Sequence, residues 1–190
     1  QRRRSTPPPV PSAPSFYTWG GCVLILRELR VEDEPLVVAA HDQLAAEGFT
    51  FLLDRERAGS FDEYLGLLEA QRAGRDPHPG RVRASFLVAE VDGEIIGRVS
   101  IRHELNAQLE REGGHIGFGV LPQHRRRGYA TQILRRALDI LAAEGVNQAL
   151  VTCDHDNIAS AATIERCGGV LVGHVTVPGG ELRHYLVPTS

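Results

Sequence analysis

The 190-residue sequence predicts one α/β (α+β) domain, with a mixed, mostly antiparallel central sheet flanked by helices in the order β-α-α-β-β-β-α-β-α-β-β. Three observations carry that expectation. Short runs rich in β-branched residues recur between helical stretches, with glycine or proline at the joints. Two of these runs, Ala84–Val91 and Glu94–His103, are joined by Asp92-Gly93, a preferred tight-turn dipeptide. The stretch His115–Leu141 passes from a glycine-punctuated apolar run through an arginine cluster into Ile133, Leu134, Ala137, Leu138 and Leu141, which repeat at helical spacing.

The remaining elements follow in order. Cys22–Leu29 suits a buried first strand after the Gly20-Gly21 break. Glu32–Ala46 reads as a helix, with Pro35 in its first turn, acids Glu32, Asp33 and Glu34 against the dipole, and Gly48 beyond its end. After the link Phe49–Gly59, Ser60 caps a second helix with Glu63 three residues on, and that helix runs towards Gly74. Gly74–Arg81 is a loop by composition, the hairpin follows, and Asn106–Gly113 reads as a polar connection to the His115 strand. The helix from Tyr129 ends by Gly145. Asn147–Asp154 then reads as a strand, Asp156–Gly169 as a short capped helix, and Val170–Val177 with Glu181–Pro188 as two strands around Pro178-Gly179-Gly180.

Composition narrows the function. Hydrophobic residues make up 42% and charged residues 24%, an ordinary globular balance. A net charge of −3 and a pI near 6.3 give no global attraction to nucleic acid, so the arginines are a local feature. Three cysteines without a C-x-x-C pair argue against a disulfide framework or zinc knuckle and suit a reducing, cytoplasmic setting. No apolar run has the length of a membrane span. Residues 1–19, basic and proline-rich, read as a disordered tail ahead of a domain over 20–190.

The arginine cluster is the informative oddity. A helix N-terminus already carries partial positive charge and unpaired N–H groups, yet Arg125, Arg126 and Arg127 stand there. A bound anion relieves that conflict, and Gly128 lets it approach the backbone.

With that turn in its strand-to-helix setting, the segment Val120–Ala130 (V-x-P-x-x-R-x-x-G-Y-A) resembles the cofactor motif of the GNAT superfamily of acetyl-CoA-dependent N-acetyltransferases. Gly114–Gly119 and Cys153–Ser160 further resemble a group of bacterial members. The resemblance implies a GNAT-like fold and transfer of an acetyl group from acetyl-CoA directly to a primary amine of a small molecule or peptide. It implies that backbone N–H groups of Arg125, Arg126, Arg127, Gly128, Tyr129 and Ala130 hold the pyrophosphate, with the Thr131 hydroxyl beside them. Phe118, Gly119 and Val120 would pair with the pantetheine arm, Gly117 and Gly119 permitting a bulge, and Asn157 and Ser160 would face the arm or the thiol end.

Two family positions differ. The tyrosine acid expected seven residues after the asparagine is Ile164, and the fourth-strand glutamate is Gly114. An alkylammonium of pKa about 10.4 is neutral in roughly 1 molecule in 2,500 at pH 7, a cost near ~4.6 kcal/mol, so a base or water chain is needed. His115, Asp154 and Tyr185 are the catalytic candidates by type, His115 first because imidazole titrates near neutrality.

Plainer roles stand beside these. Asn157 also suits a helix cap, His115 a hydrogen-bonded strand residue, and Tyr185 sheet filler. Strand alternation separates the ligand types in Cys153-Asp154-His155-Asp156, so no metal is expected. Acids Asp54, Glu56, Asp62 and Glu63 offer a weak attraction for a cationic amine, and the last two strands a dimer contact. A non-catalytic acyl-CoA-binding module is the alternative to the enzyme.

Overall fold

The computed structural model describes residues 23–189; the tail over 1–19 and Cys22 lie outside them. The elements are β1 (Leu24–Arg27), α1 (Glu34–Ala45), α2 (Phe61–Arg72), β2 (Ala84–Val91), β3 (Glu94–Arg102), α3 (Ala107–Glu112), β4 (Ile116–Val120), α4 (Tyr129–Ala143), β5 (Gln148–Asp154), α5 (Ile158–Arg166), β6 (Val170–Val177) and β7 (Gly180–Pro188). The expected order holds with one addition. Asn106–Gly113 is not a plain connection: Asn106 Oδ1 accepts from the Leu109 N–H at 2.9 Å and caps α3.

The α/β class holds, with antiparallel strands flanked by helices, but the one mixed central sheet expected is divided in two. The strands form two antiparallel sheets, β1-β2-β3-β4 and β5-β7-β6, divided between β4 and β5. Nor does β4 bulge at Gly117 or Gly119. Its register with β3 is regular from Gly97↔Val120 to Ile101↔Ile116, and the irregularities fall between β2 and β3 and between β6 and β7.

The first sheet is covered on both faces, which is why β3 is buried from Ile95 to Ile101. On one face the apolar stripe of α4 (Ile133, Leu134, Ala137, Leu138, Leu141) packs on Val99, Ile101 and Ile116, joined by Val151, Ile164 and Tyr185 of the second half. On the other, Val37, Ala40 and Leu44 of α1 and Phe61 and Tyr64 of α2 close over Phe86, Val88 and Ile95. Each fully buried Leu or Ile contributes about 1.5–3 kcal/mol, so these two layers hold the edge of β4 rigidly. The Asp92-Gly93 turn takes the left-handed backbone that its residues favour, at φ of 51° and 83°.

Candidate functional site

The division beside β4 leaves a strand edge open. Arg102 N–H donates to His115 O at 2.7 Å and Leu121 N–H to Ile96 O at 2.9 Å, so by alternation Gly117 and Gly119 direct their backbone groups to β3. Phe118 and Val120 turn theirs to the other side. There β5 approaches only at the start of β4, through the Gly114–Val151 bridge and a 2.7 Å bond from His115 N–H to Leu150 O. The Val120 carbonyl is met instead by Arg125 Nε at 3.0 Å.

The chain then turns through Pro122–His124 into the arginines. Arg126 at φ 61° and Gly128 at φ 78° are left-handed, and this alternation swings successive N–H groups to one side ahead of α4. Gln132 N–H reaches Gly128 O at 3.2 Å, whereas the N–H groups of Tyr129, Ala130 and Thr131 precede the ladder and are free, with no acid in the first turn. Arg125 also reaches Glu47 at 2.7 Å, and Arg126 and Arg127 are exposed. Unpaired backbone groups thus stand at two neighbouring places, on the open side of β4 at Phe118 and Val120 and in the first turn of α4 at Tyr129 to Thr131, with the internally bonded turn Leu121–Arg125 between them.

The outer wall is α5. Asn157 Oδ1 accepts from the Ser160 N–H at 3.0 Å, so the cap is made, and its amide nitrogen makes no hydrogen bond among the described residues. Cys167 Sγ lies 3.8 Å from Thr131 O and ties α5 to α4.

The three catalytic candidates are not brought together. His115 Nδ1 accepts from the Leu150 N–H at 2.9 Å, which places the ring proton on Nε2, and burial lowers the imidazole pKa. Asp154 ends β5 with an exposed side chain. Tyr185 is fully buried and donates its hydroxyl to Glu165 Oε1 at 3.2 Å, with burial raising its pKa.

Other groups were not singled out from sequence. A cavity of about 490 Å³ between α2, α3 and the β2–β3 face is lined by Leu53, Phe86, Ser100, Arg102 and Gly113 among others. Asp54, on its wall, is paired with Arg81, and Glu63 accepts the Gly59 N–H at 2.7 Å. His155, His174 and Glu181 also meet, with the two Nδ1 atoms 2.9 and 3.3 Å from one Glu181 oxygen. Cys153 points inward and Asp154 outward, as alternation requires, so the short segment itself makes no cluster.

A profile of the acetyltransferase (GNAT) family matches residues 40–169, which takes in the second half of α1, then α2, β4, the arginine turn, α4 and α5. The chain belongs to the GNAT family. Among curated relatives, the uncharacterized N-acetyltransferase YjdG of Bacillus subtilis is 32% identical over 110 residues, covering 56% of this chain and 60% of that protein. The chain therefore spans less than two thirds of that relative's length. Solved structures share the fold: RimJ of Mycobacterium smegmatis, in complex with CoA-disulfide, superposes with a TM-score of 0.64 at 24% identity, covering 87% of this chain and 80% of that one. The putative acetyltransferase yncA of Salmonella typhimurium, with acetyl-CoA, gives 0.60 at 18% identity over 88% and 94%. No helix among the described residues is long and apolar enough to cross a membrane.

Proposed function

We propose that this GNAT domain is an acetyl-CoA-dependent N-acetyltransferase that moves an acetyl group directly to a primary amine of a small molecule or peptide. The observation that carries the reading is the open edge of β4 followed directly by the left-handed arginine turn and the free N–H groups of the first turn of α4. Such a surface suits a ligand with a peptide-like arm and a pyrophosphate, which is the form of coenzyme A.

In this reading the N–H groups from Arg126 to Thr131 and the Thr131 hydroxyl hold the pyrophosphate, while Arg125, Arg126 and Arg127 supply counter-charge. Arg125 also holds the Val120 carbonyl. Phe118 and Val120 align the pantetheine arm along the open edge, and Gly119 between them turns its backbone groups to β3. The Asn157 amide and Ser160 hydroxyl close its far side. Acetyl-CoA supplies the activated acyl carbon; the amine nitrogen bonds to it, the C–S bond breaks, and the thiol departs with a proton. A β4 N–H facing the gap, Phe118 or Val120, is placed to donate to the oxygen that gains charge.

Proton removal falls to water ordered at the site. His115 is the cross-strand partner of Arg102, and its Nδ1 lone pair is engaged by the Leu150 N–H; its Nε2–H orients water as a donor. Asp154, exposed at the end of β5 and apart from His115, has no part in this step. Tyr185 donates to Glu165 and supports the second sheet.

Free Cys153 and Cys167 favour a cytoplasmic setting. The exposed edge strand β6, with Val170, Leu171 and Val172, is the surface we assign to a homodimer, which light scattering reads directly.

Calorimetry with acetyl-CoA tests the reading. Saturable binding is expected, weakened about tenfold or more in Arg125→Glu, which reverses charge beside the anion. The absence of binding to the intact protein overturns it. A thiol-release assay over an amine panel then reports transfer, and cofactor binding without thiol release from any amine of the panel is the expected signature of a mere binding module.

A further inference from the structure

We propose that the acceptor carries an anionic group, a carboxylate or a phosphate, beside its amine, and that Arg102, backed by Arg98, receives that group in the cavity between α2, α3 and the β2–β3 face. The inference rests on the acetyltransferase reading and names the substrate class of the same site.

It begins from the pattern of β3. Arg98, Ser100 and Arg102 alternate along the strand and share the face turned to α2, where Ser100 and Arg102 line the cavity. Arg98 lies behind them at 4% exposure. Its Nη1 donates to Gly117 O at 3.0 Å, its Nη2 to Thr50 O at 2.7 Å, and its guanidinium stacks 4.4 Å from the Phe49 ring centre. Its Nε is buried with no partner. Arg102 Nη1 reaches only carbonyls, those of Gly114 at 3.2 Å and Gly113 at 3.4 Å.

Neither arginine meets a carboxylate among the described residues. The two guanidinium groups nonetheless converge on one spot. A Cβ added to Gly117 would sit 3.8 Å from Arg98 Nη1 and 3.9 Å from Arg102 Nη1. Burial, with the charge of Arg102 adding to it, draws Arg98 down to about 9, and burial and Arg81 draw Arg102 down as well. At neutral pH both are still cations. Two like charges held out of water without a counter-ion are costly, and an anion entering the cavity is the direct relief.

The acids that line the cavity, Asp54 and Glu112, offset these charges only at a distance and make no ion pair with either arginine. Asp54 is paired with Arg81, and Glu112 on the opposite wall stands 3.7 Å from Arg111. The cavity is at the small end of ligand pockets, room for an amine and one anionic group rather than a folded partner. A polyamine would bring further positive charge against two guanidiniums, so the arrangement selects against it.

Matched amines test this. β-Alanine against n-propylamine and O-phosphoethanolamine against ethanolamine are titrated into the protein saturated with coenzyme A, and the same four are assayed for thiol release with acetyl-CoA. The anionic member of at least one pair binds about tenfold to a hundredfold tighter and has the higher kcat/KM, and which pair shows it separates carboxylate from phosphate. In Arg102→Gln that preference collapses towards one, and Arg102→Lys restores part of it. Equal or stronger binding of the neutral amines, or a preference unchanged in Arg102→Gln, overturns the proposal. Should that variant not fold, the wild-type comparison alone decides. Thiol release with the neutral amines only would leave the transferase standing and the proposal refuted, whereas failure to bind acetyl-CoA at all removes the transferase reading itself.

Discussion

Gly128 and Gly145 bracket α4, and replacing each by alanine separates folding from cofactor binding. Both are left-handed, at φ 78° and 83°, and an added Cβ meets nothing within 4 Å at either. The cost is therefore backbone strain alone, about 1–2 kcal/mol for a left-handed alanine. In a domain of this size that lowers Tm by roughly 2–4 °C for each kcal/mol, and the two variants fall together. They part on binding. Gly145 closes the far end of the helix, where Val146 N–H returns to Leu141 O at 3.1 Å. Gly128 caps the near end, and its new methyl group occupies open space in front of the free N–H groups of Tyr129 to Thr131. Acetyl-CoA affinity falls about tenfold or more in Gly128→Ala, some 1.4 kcal/mol, and is unchanged in Gly145→Ala. Paired calorimetry and thermal unfolding measure both quantities. Equal affinities in the two variants refute the assignment of the anion to this turn.

How much of this was legible in the sequence depends on the range of the contact that decides it. The hairpin at Asp92-Gly93, the stripe of α4 and the Ser60 cap are local, and each follows from residues a few positions apart. The arginine turn was legible for the same reason, since glycine and helix start adjoin it. Helix α3 was not, because Ala107–Glu112 is too short and polar to show an apolar stripe, although its Asn106 cap stood in plain view. Division into two sheets turns on what β5 fails to do beside β4, which no strand shows by itself. Arg98 is the clearest case. In the run Glu94–Arg102 it reads as the solvent side of an alternating strand, and it is buried only because Phe49 and Thr50, from the segment after α1, fold over it. His155, His174 and Glu181 likewise come from three separate segments.

Three further expectations bear on individual side chains. Tyr185→Phe keeps the core ring and loses the bond to Glu165, so stability falls by about 0.5–1.5 kcal/mol in urea unfolding while kcat holds within about twofold; a hundredfold loss of kcat would instead make the hydroxyl a catalytic acid. Asp76, held down to about 2 chiefly by its bond to Arg57, lends stability that is complete above its unfolded pKa near 3.8 and disappears as pH falls through about 2. Asp76→Asn is expected to lack that acid-side slope when unfolding midpoints are followed from pH 5 to 2. Asn157 separates its two roles through a single atom. Its Oδ1 caps α5, and its amide nitrogen is the group assigned to the cofactor arm. Asn157→Asp keeps a capping oxygen and exchanges the amide for a carboxylate, so stability stays within about 0.5 kcal/mol, whereas Asn157→Ala loses about 1 kcal/mol with the cap. If the amide faces acetyl-CoA, both variants weaken binding, the aspartate more because it adds negative charge near the phosphates. An aspartate variant with wild-type affinity shows that Asn157 serves the helix alone.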